Sequence, residues 1–475
     1  MKKRNIALVA IAVIAIVGYL AHYHNNRIRE VVILSTNDMH ASISNFPRLA
    51  TAVAQCRDTV ATILVDAGDR WTGNAYIDWA EGRRPILDLM NSLGYDVAAL
   101  GNHEFDLGAA FLEETIHYSH FATICANVES SRSDFATPAK CHSITTPDGV
   151  TLCFAGVVTN YDNGHPDGNN AHFEGLHFPD PMEAAREAVK GCRGADVKVL
   201  LSHMAYDKDM TFAAEGSPYE VIIGGHSHTV ADTTVNNVVI GQTGRKLKLV
   251  GATRIRLRGN QIESIEYENI DLANYAPDAQ FESMIEQIEN NPELKTIVGS
   301  TASAFNFAGL ANLESTLVAK ASGAEIGFFH YGGIRLAELA KGEVQWVELC
   351  NLEPFFSTIY TIEMTPAQMR KMIIDKYNDT KNTKESHRID LFCSVPYNLI
   401  VDSADCAHDV RFPTLREGRR YRVALTDYVA KKYDSIEGLN GKFTEISILE
   451  ALKQHFLNNS PVKPDNRPRQ RIVRE

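Results

Sequence analysis

Residues 29–40 read REVVILSTNDMH, a run of β-branched and aliphatic side chains that breaks abruptly into polar residues. That is the composition of a buried strand emptying into a loop. The pattern recurs at ATILVDAGD (61–69), DVAALGNHE (96–104), ATICANV (122–128), TLCFAGVV (151–158), VKVLLSH (197–203), YEVIIGGHSH (219–228) and NVVIGQTG (237–244). Helix-forming stretches separate these runs, and strands alternating with helices predict a layered α/β domain. One helix is legible in PDPMEAAREAVKGC (179–192), where Asp180 is a natural N-cap and Pro181 fits the first turn.

Five runs end in residues that bind metals: Asp38-Met39-His40, Asp69, Asn102-His103, His203 and His226-Ser227-His228. Side chains of an extended segment alternate faces, so Asp38 with His40, and His226 with His228, would each aim two groups the same way. Strand ends of open α/β sheets line a common crevice, where five such ends can converge. Two carboxylates, an amide and several imidazoles exceed the needs of one divalent ion. They suit two ions roughly 3.5–4 Å apart that share a carboxylate. A mixed oxygen and nitrogen set without cysteine fits Zn, Mn or Fe. The loop NYDNGHPDGNNAHFEG (160–175) reads as irregular surface structure near this edge, with His165 and His172 solvated.

With 475 residues, 44% hydrophobic and 22% charged, the chain can bury more than one core, which excludes wholesale disorder. Asp and Glu number 59 against 47 Lys and Arg, and the first 27 residues hold four basic and no acidic side chains, so the rest is more acidic still. That field argues against a nucleic-acid partner and leaves attraction of any anion to a local device. Met1-Lys2-Lys3-Arg4 followed by an apolar run over 6–21 reads as a secretory signal peptide or signal anchor spanning 1–27. An obvious pair of small residues for cleavage is missing around Leu20-Ala21, which favours retention as a membrane anchor with the bulk of the chain outside the cytoplasm. The eight cysteines contain no CxxC pair and do not read as a zinc framework. Cys125 and Cys153, inside apolar runs, read as buried free thiols, and Cys393 with Cys406 as a candidate bridge.

The ordered set Asp38-x-His40, Gly68-Asp69, Gly101-Asn102-His103-Glu104, His203 and Gly225-His226-Ser227-His228 resembles the calcineurin-like metallophosphoesterases. TNDMH with GNHEFD is similar to their 5′-nucleotidase branch. The resemblance implies two α/β domains: a metallophosphoesterase β-sandwich flanked by helices over 28–272, and a substrate-binding 5′-nucleotidase domain over 301–475, with a linker at 273–300. It implies one ion on Asp38, His40, Asp69 and His228, and a second on Asp69, Asn102, His203 and His226. His103 and Asp106, beside Asn102, would be the catalytic pair acting on the leaving oxygen during in-line attack on phosphorus.

In the second half the resemblance is partial. HYGGIR (330–335) stands where the family has a glycine-rich Asn…Arg loop, with Gly332, Gly333 and Arg335 kept and His330 replacing the asparagine. Arg335 would grip phosphate, Phe355 of Glu353-Pro354-Phe355 and Tyr428 would stack on a base, and Asp434 would hold a ribose. Lys431-Lys432-Tyr433 replaces the family's Asn-Gly-Gly, and AGLANLESTL (308–317) lacks an expected arginine. The expected activity is hydrolysis of a small-molecule phosphoester, foremost a nucleoside 5′-monophosphate. A UDP-sugar, a 2′,3′-cyclic nucleotide or a sulfur-oxyanion ester on the same site stays open, as does an anchored ligand-binding protein without catalysis.

Overall fold

The computed structural model describes residues 26–161, 164–379 and 388–475. The expected N-terminal signal falls outside these residues apart from its last two positions. No helix among the described residues is long and apolar enough to cross a membrane.

All eight apolar runs become strands, distributed over two six-stranded sheets. One sheet has the order Gln261–Asp271, Leu249–Arg258, Ile28–Thr36, Ala61–Asp66, Val97–Ala99, Ala122–Ile124. Its last four strands run parallel, and Leu249–Arg258 closes antiparallel on Ile28–Thr36. The other sheet has the order Val230–Val235, Val238–Thr243, Val221–Gly224, Val197–His203, Thr151–Val158, Cys141–Thr145. Its four central strands are parallel and both edges antiparallel.

The two-residue period of the strands builds the layers. Val31, Ile33, Ile63, Val65, Leu152, Phe154, Val199 and Leu201 meet in one buried cluster between the sheets. Their sequence neighbours Ala155, Val157, Leu200 and Ile222 face the opposite way, against Ala185 and Phe212 of helices Pro181–Ala188 and Tyr206–Ala214. Each fully buried Val, Leu, Ile or Phe contributes about 1.5–3 kcal/mol. The architecture is a β-sandwich flanked by helices. Asp180 caps its helix as expected, its carboxylate accepting from Glu183 N at 3.0 Å.

This alternation corrects one reading. Cys153 faces the helical layer with Ala155 and Val157, where Cys192 ends the Val189–Cys192 turn, and the two form a disulfide. Cys125 is a buried free thiol as expected, but the candidate pair Cys393 and Cys406 is unbridged: Cys393 lies inside the core and Cys406 is exposed.

The chain separates into two compact units. One holds the described residues up to Trp71, Arg84–Gly168 and His172–Glu286, and the other holds Thr72–Arg83, Asn169–Ala171 and Gln287–Glu475. The polar, helix-forming stretch expected as a connector carries helix Ala279–Ile288 and leads into strand Ile297–Thr301. Thr72–Arg83 belongs to the second unit because Ala75 sits in its core and Ala75 N donates to Asn351 Oδ1 at 2.7 Å. That unit is built on a mixed sheet of order Leu391–Cys393, Ile326–His330, Tyr421–Thr426, Thr358–Met364, Gly441–Ser447. Phe329, Ile359 and Ala424 bury one face with Leu310 and Val318 of helix Phe307–Ser322. Phe328, Ile362 and Val423 bury the other with Met369 and Ile373 of helix Pro366–Tyr377. It too is a layered α/β structure.

Candidate metal centre

The predicted groups of the first unit converge, though not by strand alternation. Strand Ile28–Thr36 stops before Asp38 and strand Val221–Gly224 before His226, and Asp38, His40, Asp69, His226 and His228 all adopt positive φ, between 46° and 75°. Such left-handed backbone costs a non-glycine residue of order 1–3 kcal/mol and persists only where its surroundings enforce it. Here the enforcement is visible. Beyond the strands the loops continue to pair, with Asp38 N donating to Gly68 O at 2.9 Å, His40 N to Asp69 O at 3.0 Å and Ala41 N to Arg70 O at 2.7 Å. His203 alone ends a strand, Asn102 caps the His103–Phe105 turn, and all lie in one unit.

Two triads of side chains result, Asp38/His40/His228 and Asp69/His203/His226, each with its ligand atoms within 4.8 Å of one another, and Asp69 also forms such a group with His40 and His103. His40 Nε2 faces His228 Nε2 at 2.8 Å, His228 Nε2 lies 3.6 Å from Asp38 Oδ1, and His226 Nδ1 lies 3.0 Å from Asn102 Oδ1. Asp69 Oδ2 is 3.2 Å from His203 Nε2 and 3.9 Å from His40 Nε2. The approach of Asp69 to His203 is misaligned for hydrogen bonding, so the fully buried His203 Nε2 has no hydrogen-bond partner. Nitrogen facing nitrogen, and an orphaned buried nitrogen beside a carboxylate, fit divalent cations held among them better than a self-sufficient hydrogen-bond network.

The carboxylates are electrostatically unlike. Burial pushes the Asp38 carboxyl up to about 7, against the pull of His203. Burial also opposes the charge of Asp69, yet the imidazoles of His203, His103 and His40 hold its carboxyl well below the usual range. Burial works against the charge on His203 too, but Asp69 and Asp38 raise it to about 10. Of the two carboxyls, Asp69 is therefore the more readily ionised.

His103 and Asp106 form the expected pair, Nδ1 to Oδ2 at 2.8 Å, each less than one-fifth exposed. His103 N also donates to Asp69 Oδ1 at 2.9 Å. Close packing explains the neighbouring glycines: a Cβ at Gly101 would collide with Asp69 Oδ1, and one at Gly225 would lie 2.7 Å from His203 Nδ1.

Sequence reasoning left Glu104 and Asn37 without roles. Glu104 Oε2 accepts from Asp69 N at 3.0 Å and Gly101 N at 2.5 Å, and its Oε1 from Arg70 N at 2.9 Å, which locks two ligand loops together. The last letter of the GNHE motif was its signal. Asn37 donates to Asp38 Oδ2 at 2.6 Å and Gly244 O at 2.8 Å, and accepts from Thr243 N at 2.9 Å, bridging loops that only the fold brings together.

The residues expected to recognise substrate fall into smaller groups in the second unit. His330 is buried at the end of its strand and stacks on Tyr428, with centroids 4.5 Å apart and planes 18° apart. Burial lowers the His330 imidazole to about 4. Gly333 allows this packing, since its Cβ would lie 2.7 Å from His330 Cε1, while Gly332 is exposed. The Arg335 guanidinium lies over the Phe355 ring at 5.5 Å. Asp434 is exposed at the head of the Asp434–Ile436 turn. In the segment that departs from the family, the Tyr433 hydroxyl donates to Asp390 Oδ2 at 2.6 Å.

Comparison with known proteins bears on this geometry. Residues 31–230 match the calcineurin-like phosphoesterase family and residues 291–441 the 5′-nucleotidase C-terminal domain. The trifunctional nucleotide phosphoesterase protein YfkN of Bacillus subtilis (strain 168) is 25% identical over 74% of this chain, which spans only 28% of that protein's length. Protein UshA of Yersinia enterocolitica is 22% identical over 96% of both chains. Among solved structures, the 5′-nucleotidase precursor of Thermus thermophilus shares the fold with a TM-score of 0.80 at 19% identity, over 94% of this chain and 100% of that one.

Proposed function

Because the chain belongs to the calcineurin-like phosphoesterases that carry a 5′-nucleotidase C-terminal domain, we propose that it hydrolyses phosphate monoesters with two divalent ions, and that its substrate is a nucleoside 5′-monophosphate. The observation that carries this reading is Asp69, a firmly ionised carboxylate with His203 Nε2 at 3.2 Å and His40 Nε2 at 3.9 Å. Asp38, His40, Asp69 and His228 would hold one ion, and Asp69, Asn102, His203 and His226 the other; Zn, Mn or Fe suits these donors. Bound there, the ions would supply Lewis acidity for the phosphoryl oxygens and an activated water.

The chain's own groups do the rest. With its Nδ1–H donated to Asp106 Oδ2 at 2.8 Å, the His103 ring is held in orientation, and in its doubly protonated form it gives the Nε2 proton to the departing alkoxide and is left as neutral imidazole. In the second unit Arg335 supplies a phosphate-binding guanidinium, Phe355 and Tyr428 supply faces for a base, and Asp434 accepts from a ribose. Gly332 leaves the exposed turn without a side chain, Gly333 lets it pack on His330, and His330 braces Tyr428. The basic and apolar N-terminus supports a location outside the cytoplasm, with residues 6–21 as anchor.

The test is phosphate release from AMP and from a small aryl phosphate after exhaustive chelation and readdition of Mn²⁺ or Zn²⁺. Activity should vanish and return, and full activity without metal would sink the two-ion reading. Stacking is worth about 1–3 kcal/mol per base, so Phe355→Ala should lower kcat/KM for AMP by roughly 5- to 150-fold while sparing the aryl ester. Equal loss on both substrates would reduce Phe355 to core packing.

A further inference from the structure

The loop over 160–175 reads from the sequence as irregular surface near the metal-binding edge with His165 solvated, but in its described part (164–175) His165 is held by packing. His165 stacks on Phe173 at 4.6 Å, and Phe173 packs against Phe105 and Phe178, both at 5.7 Å. Phe105 closes the same short turn that begins with His103, so this aromatic cluster ties the loop to the ligand-bearing segment. Two residues beyond His165, Asp167 sets its Oδ2 3.5 Å from Nε2 of His226. His165, Asp167, Phe173 and His226 lie in one compact unit.

The two ring nitrogens of His226 have different surroundings. Nδ1 is within hydrogen-bonding geometry of Asn102 Oδ1 at 3.0 Å, while Nε2 approaches Asp167 Oδ2 at 3.5 Å, an ion-pair distance short of an aligned hydrogen bond. A proton on Nδ1 would be donated to Asn102 and would consume the lone pair that a cation needs. A proton on Nε2 leaves that lone pair directed alongside Asn102 Oδ1 and selects the ligating tautomer. His203 solves the same problem with a backbone group: its Nδ1 lies 2.7 Å from Ala67 O, which leaves Nε2 for the centre. A ligating histidine usually donates its second N–H to a carboxylate or a carbonyl, and that partner fixes both tautomer and ring orientation. We infer that Asp167 is the positioning residue for His226, a carboxylate that accepts Nε2–H and holds Nδ1 ready for the divalent ion shared with Asp69, Asn102 and His203.

This inference rests on the reading of His226 as a metal ligand, and the experiment separates the two. Mn²⁺ is titrated calorimetrically into the chelator-treated full chain. Wild type should bind two ions. Asp167→Ala should bind one as wild type does and the other about 10- to 100-fold more weakly, the usual effect of losing an outer partner. Asp167→Asn keeps an acceptor oxygen without the charge and should stay within about threefold of wild type, a rescue that general damage to the loop would not give. Tautomer-sensitive ¹⁵N shifts of the metal-free protein should report a protonated Nε2 on His226 in wild type and Asp167→Asn, and a mixture in Asp167→Ala. Unaltered Mn²⁺ binding by Asp167→Ala would overturn the role of Asp167 alone. So would Asp167→Asn as weak as Asp167→Ala, which would mean the charge or direct ligation matters instead. A wild-type chain that binds no Mn²⁺ would overturn the metal reading and this inference together.

Discussion

Replacing Glu104 by Gln perturbs the brace behind the centre without replacing a proposed ligand. The carboxylate is 1% exposed and receives three backbone N–H groups, from Asp69, Arg70 and Gly101, with Arg70 Nε 3.4 Å from Oε1. An amide must turn its NH₂ toward one of these sets. Facing Asp69 and Gly101 it orphans two donors, and facing Arg70 it orphans one and strips the guanidinium of its nearer carboxylate. The second choice costs less, yet it loses a charge-assisted bond worth about 1.5–3 kcal/mol. It also leaves Arg70, 2% exposed, with only Asp66 Oδ1 at 3.7 Å as counter-charge. Breaking one side of a buried pair costs about 3–5 kcal/mol. These overlap, so the total stays near about 3–5 kcal/mol rather than their sum. For a unit of this size that is a fall in Tm of roughly 6–20 °C, at about 2–4 °C per kcal/mol. Melting in chelator isolates the folding loss from metal linkage, and Mn²⁺ affinity measured afterwards should fall by about 10- to 100-fold, because two ligand loops lose their common anchor. A Tm within about 2 °C of wild type together with unchanged Mn²⁺ affinity would refute the reasoning. It would mean that the backbone ladder from Asp38 N–Gly68 O to Ala41 N–Arg70 O holds the loops alone.

His103→Ala should retain both ions and slow turnover by roughly 10²–10⁴, the usual scale of a lost general acid; loss of metal by elemental analysis would reassign His103 as a ligand. Glu353→Gln tests the second unit. Burial pushes this carboxyl from 4.5 up to about 7, although Ser357 Oγ donates to it at 2.7 Å. A raised acid pKa means that the folded state binds the proton more tightly, so stability falls as pH rises from about 4.5 and the loss is complete above about 7, near 3 kcal/mol. The variant cannot titrate there, so the Tm difference between it and wild type should change between about pH 5 and pH 7 and level off above that. Parallel Tm curves would contradict this sign.

The layered architecture was legible because a strand records its environment locally: apolar runs such as VVIL and VLL, cut by glycine and polar residues, survive any arrangement of their neighbours. The candidate donors were legible for a related reason, since each sits within a few residues of a strand end where a crevice forms. Their geometry was not. Alternation in an extended chain was the wrong device for Asp38 with His40 and His226 with His228, because positive φ at these positions is imposed by hydrogen bonds between loops distant in sequence. The residues expected to recognise substrate in the second unit were named position by position, but the stacking of His330 on Tyr428 and the approach of Arg335 to Phe355 needed the fold to bring them together.

By itself the sequence determined eight strands of the first unit and the helix begun at Pro181, the chemical types available at the strand ends and the acidic character of the chain, all properties of residues and their near neighbours. Only the tertiary structure decided that Cys153 bridges Cys192 and that Thr72–Arg83 serves the second unit. The same holds for Glu104, Asn37 and Asp167, which stand behind the candidate ligands. Each of these depends on which distant surfaces meet once the apolar faces are buried. Burial is non-directional and leaves a local pattern, whereas a disulfide, a hydrogen-bonded brace or a carboxylate beside an imidazole needs atoms within a few ångströms, and packing alone brings residues so far apart in the chain that close.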